Sequence, residues 1–119
     1  MRKTERAKLT PQVFYDMLTE IARANPRRRN TDDGPYGGCV YTDTEGRHCL
    51  IGEFLAIHDR RGLPKVTSPL NNRGADTVLL ELGYTPEVAT LAAEIQMDAD
   101  GCSDTWLQAV RNNRWGVAA

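Results

Sequence analysis

Residues 37–52 read GGCVYTDTEGRHCLIG, and the way they fold decides between an all-helical domain and one that carries a small sheet. The runs CVYT (39–42) and HCLI (48–51) hold strand-favouring residues, and DTEG (43–46) between them supplies turn chemistry, with Gly46 available for a positive φ. This pattern predicts an antiparallel hairpin with Cys39 and Cys49 opposite each other as small core residues, the usual place of reduced buried cysteines. From Leu50 the period changes. Leu50, Phe54, Leu55 and His58 recur at helical intervals as far as RRG, where Gly62 reads as a C-cap and Pro64 follows. The hairpin is therefore expected to hand over to a helix near Cys49.

Upstream, Thr10-Pro11 pairs a capping residue with the proline favoured at the first helical position. Val13, Phe14, Met17, Leu18 and Ile21 then share one helical face, and Asn25-Pro26 stops the helix. Downstream, a short helix is expected from Asp76 through Val78, Leu79 and Leu82 to Gly83. Thr85-Pro86-Glu87 repeats the start signal for a long amphipathic helix through Val88, Leu91, Ala92, Ile95 and Ala99. Ser103 or Asp104 caps a last helix bearing Trp106, Leu107 and Val110. The expected fold is mainly α, about five helices with one small β-hairpin, in a single compact α+β domain over residues 1–119. Within it, 1–9 reads as a flexible N-terminal segment, 26–38 as an exposed loop and 112–119 as a fraying tail.

A chain of 119 residues, 40% hydrophobic and 26% charged with a net charge of −1, fits one ordinary globular domain. That balance excludes a disordered polymer and a bulk nucleic-acid binder. The longest apolar runs are a few residues, as in EFLAI, so no segment spans a bilayer, and MRKTERAKLT lacks the apolar core of a signal peptide. The expected compartment is the cytoplasm, where Cys39, Cys49 and Cys102 stay as thiols. The charge is polarised along the chain. Residues 1–30 hold eight basic against three acidic side chains, a net of +5, whereas residues 75–105 hold seven acidic side chains and no Lys or Arg. Such surfaces suit a charged protein partner, or pairing between two copies of the chain.

Cys39, His48, Cys49 and His58 are residue types that zinc selects. Their spacing argues against a structural site, since strong zinc patterns bring ligands in close pairs and strand neighbours such as His48 and Cys49 face opposite ways. A thiol enzyme is a second reading, because Cys49 sits near a helix N-terminus that favours thiolate. Its candidate base, His58, stands nine residues along the same helix, about 13 Å away by rise. The segment ADTVLLELGYTPEVATLAAEI has the outline of a helix-turn-helix. Its second helix nevertheless carries Glu87 and Glu94 and leads into Asp98 and Asp100, which repel phosphate, so nucleic acid would have to use PRRRN or RKTERAK. DADGCSD lacks the fifth-position ligand and closing Glu of a calcium loop. No cofactor motif is present.

The pattern C-x-Y…G-x-x-C-L-I-G, formed by Cys39, Tyr41, Gly46, Cys49, Leu50, Ile51 and Gly52, is followed by LGY at 82–84 and a closing Gln96…Asp98…Gly101…Trp106…Ala109-Val110. On these residues the span 36–110 resembles a group of small uncharacterised proteins of actinobacteria and their bacteriophages. Members of that group often carry His where this chain has Glu53, which weighs against a metal or base role here. The resemblance implies a small phage- or prophage-type accessory protein that binds a host or phage protein. Candidate contacts are Arg27, Arg28 and Arg29 on the basic loop and Glu87, Glu94, Asp98 and Asp100 on the acidic helix, with Tyr36 and Trp115 as aromatic anchors. The competing expectations are a structural-zinc or nucleic-acid-binding module and a thiol-dependent enzyme using Cys49.

Overall fold

In the computed structural model, residues 1–29, 48–62, 74–100 and 105–114 are described, and they form six helices. These are α1 (Lys3–Lys8), α2 (Pro11–Ala24), α3 (Leu50–His58), α4 (Ala75–Leu82), α5 (Pro86–Asp100) and α6 (Trp106–Asn112). The starts of α2 and α5 are those the Thr-Pro pairs predict. Thr10 Oγ1 accepts the Val13 N–H at 3.3 Å, and Thr85 Oγ1 accepts that of Val88 at 3.3 Å. Gly83 ends α4 in the left-handed region, with φ of 104°, and donates to the Leu79 and Leu80 carbonyls. The last helix is capped one residue later than expected, by Thr105, which accepts the Gln108 N–H at 3.2 Å.

The fold is mainly α, and the expected β-hairpin is a misreading: no strand occurs among the described residues. Its first strand and turn, 39–46, lie outside those residues. Its second strand, HCLI, is overturned directly. Leu50 and Ile51 are the first turn of α3, and Cys49 is its N-cap, with Sγ accepting the Gly52 N–H at 3.4 Å. Cys49 itself is extended, at φ −70° and ψ 176°. Leu50, Ile51, Phe54 and Leu55 are all buried, a spacing that only a helix sunk in the core delivers. Four residues are too few for alternation to separate a strand from a buried helical turn. Gly62 is not the cap of α3; Asp59 is.

Within residues 1–9, where a flexible segment is expected, Lys3–Lys8 form a helix that buries Arg6. Its Arg2 N–H donates to Glu5 at 3.3 Å.

The core collects one face from each longer helix. Phe14 and Leu18 of α2 meet Phe54 and Leu55 of α3, Val78 and Leu79 of α4, Val88, Ala92 and Ile95 of α5, and Trp106 and Val110 of α6. Phe54 is its hub: its ring lies edge-on to Phe14 at 4.9 Å and faces Tyr84 at 6.2 Å and His58 at 5.5 Å. α4 and α5 pack along each other, and α2 lies against α3, α5 and α6.

Candidate functional site

The basic loop does not behave as one patch. Arg27 and Arg29 are exposed, but Arg28 turns inward. Its guanidinium carbon sits 4.3 Å above the centre of the Trp106 ring, and Nη2 donates to the His48 carbonyl at 3.0 Å. Nη1 reaches Glu53 at 3.5 Å, while the Arg28 carbonyl accepts the Trp106 backbone N–H at 2.9 Å. Arg28 therefore ties α2, α3 and α6 together. Tyr36, Cys39 and Trp115 lie outside the described residues, as does the Asp100 side chain.

Cys49 is 2% exposed and spends its sulfur on the cap. His58 packs its ring on Phe54 at the far end of α3, where it lines an open cavity with Met1, Arg2, Glu5 and Arg61. The helix thus keeps Cys49 and His58 apart. Among the described residues no group of three or more His, Cys, Asp or Glu is placed to hold a metal ion.

The acidic helix presents a surface. Glu87 and Glu94, two turns apart on α5, are exposed and line an open cavity of about 370 Å³ with Pro86, Thr90 and Leu91. Met97, 72% exposed, continues the same side by one turn. Asp98 is half-buried and accepts the Asn113 amide at 2.7 Å, so it braces α6 against α5.

A second constellation was not foreseen from the sequence. Asp59, fully buried just past α3, accepts Arg6 Nε at 2.8 Å on one oxygen and Arg6 Nη2 at 3.0 Å on the other. The Tyr84 hydroxyl donates to the same carboxylate at 2.6 Å, the Gly62 N–H at 3.2 Å and the Met1 amine at 3.1 Å. Arg6 Nη1 donates to the Leu82 carbonyl at 3.0 Å. Burial pushes the Asp59 carboxyl up, but the hydrogen bonds from Arg6, Tyr84 and the amine outweigh it and hold it at about 2. The Tyr84 hydroxyl is driven far above its ordinary range, by burial first and then by its bond to Asp59. Arg6 is raised by its bond to Asp59. Arg6 and Asp59 stand 53 residues apart, with nothing local in the sequence to join them.

No family model, curated protein or solved structure matches the chain. Among the described residues, no helix is long and apolar enough to cross a membrane.

Proposed function

We propose that this chain works by binding another protein and that the exposed side of α5 receives a basic segment of that partner. The observation that carries this reading is the cavity bounded by Glu87 and Glu94, with Leu91 in its wall and Met97 exposed beside it. Apolar area ringed by charge is the composition of a protein interface: the carboxylates steer a Lys- or Arg-bearing segment in and fix its register, and the apolar atoms supply contact energy. The resemblance of residues 36–110 to small actinobacterial and phage proteins supports the same reading, an accessory protein acting on a host protein in the cytoplasm. A second copy of the chain is also a partner of suitable chemistry, through exposed Arg2, Lys3, Arg60 and Arg61.

Site-specific photocrosslinking in producing cells tests this. A photoreactive residue at Thr90 is expected to capture a discrete partner, one at exposed Gln12 on α2 is not, and Glu87→Lys with Glu94→Lys abolishes the adduct while the far-ultraviolet circular dichroism stays unchanged. Equal adducts from Thr90 and Gln12, or an adduct indifferent to the charge reversal, refute the reading.

A further inference from the structure

The ends of α3 and α4 converge on a single guanidinium. All three nitrogens of Arg6 have an acceptor: Nε and Nη2 the two Asp59 oxygens, Nη1 the Leu82 carbonyl. This planar three-point match suits a guanidinium and cannot be reproduced by an ammonium group. Every acceptor belongs to the body of the fold and none to α1. The carboxylate also accepts the Gly62 N–H and the Tyr84 hydroxyl, both from the body of the fold, and the Met1 amine from the segment that carries Arg6. By contrast, Arg6 is the only buried residue of α1, and only Leu9 and Thr10 join that helix to α2. An open cavity of about 390 Å³, lined by Arg6, Leu82, Lys3, Arg61 and Glu81 among others, reaches Arg6, while Asp59 and Tyr84 stay buried behind it.

We propose that this junction is a guanidinium-binding site, occupied by Arg6 as an internal ligand and open to an arginine of a partner protein when α1 lifts away. α1 is then a strap that guards the site by filling it. A free arginine side chain competes with Arg6 for Asp59, Tyr84 and Leu82, and wins only when the rest of its chain adds contacts of its own. The site involves none of the α5 residues assigned above, so the two proposals stand or fall separately.

Chemical rescue of the full chain carrying Arg6→Ala tests it. Ethylguanidinium at millimolar concentration is expected to raise the melting midpoint saturably, while ethylammonium and sodium chloride at equal ionic strength do not, and wild type does not respond. Should Arg6→Ala be unfolded, recovery of helical circular dichroism with ethylguanidinium and not with ethylammonium is the same result. A fluorescent peptide of residues 1–10 is further expected to bind Arg6→Ala at least about tenfold more tightly than wild type, and its own Arg6→Lys version to bind weakly to both. Rescue by any cation, no rescue, or equal peptide binding to the variant and wild type overturns the proposal.

Discussion

Removing the Asp59 charge while keeping its shape, as in Asp59→Asn, strands the Arg6 guanidinium in a buried site, and about 3–5 kcal/mol of stability should go with it. Urea unfolding reads that loss. Tyr84→Phe deletes one hydrogen bond to a charged acceptor and should cost about 1.5–3 kcal/mol. The same carboxylate sets the acid limit. Folding takes it from the ordinary 3.8 to about 2. At about 1.36 kcal/mol per pH unit, that difference contributes roughly 2.5 kcal/mol. A carboxyl lowered by folding stabilises above its unfolded value and ceases to as pH falls through the folded one. Stability should therefore drop between about pH 5 and 2, and the drop should flatten in Asp59→Asn when thermal midpoints are followed across that range. At this scale the sequence was a poor guide: Arg6 read only as one charge of the basic RKTERAK run, and nothing marked Asp59 as its partner.

Among the elements, α3 shows how a cap is mistaken for a strand. Cys49 has extended backbone, as N-caps do, and sits beside two branched residues, which is all that a two-residue window of strand contains. Because its sulfur is buried and engaged by Gly52, alkylation by iodoacetamide should proceed at the rate of unfolding, with denaturant required for fast labelling. Labelling of the native protein at the rate of a small exposed thiol would revive the thiol-enzyme reading. Gly83→Ala should cost about 1–2 kcal/mol, since its φ of 104° is strained for any side chain and the new Cβ would also lie 3.1 Å from Lys3 Cγ. Thr-Pro starts and the Gly83 stop were legible because caps act within four residues. The helix at Lys3–Lys8 was not, since a six-residue polar segment is too short to be stable alone and depends on Arg6 reaching Asp59.

For the molecule as a whole, the polarised charge sorts into two kinds of residue. Arg28 is structural: Arg28→Ala loses the Trp106 stacking and the His48 and Glu53 contacts and should lower stability by about 1–2 kcal/mol, whereas Arg27→Ala, exposed, should stay within about 0.5 kcal/mol. Thermal melts of the two variants separate them. Glu87 and Glu94 remain on the surface and carry the proposed docking. If two copies pair through these carboxylates and the basic α1 side, sedimentation velocity should show the dimer dissociating as salt rises from about 0.1 M to 1 M, where the screening length shrinks from about 10 Å to 3 Å. A dimer insensitive to salt would place the contact on apolar surface instead.

The amino-acid sequence by itself determined that the chain is mainly helical, the bounds of α2, the Gly83 stop, the start of α5, most of the buried faces of the long helices, Val13 of α2 being exposed, and the outward Glu87 and Glu94 of α5. Each depends on periodicity or on a cap, and both act between residues a few positions apart. Only the tertiary structure decided that Cys49 opens a helix, that Arg28 is half-buried against Trp106 and that Arg6, Asp59 and Tyr84 form one site. Those outcomes join residues up to 76 positions apart, from Arg6 to Leu82, and rest on burial, which draws a carboxylate, a guanidinium and a phenol together because none of them can be left alone without water.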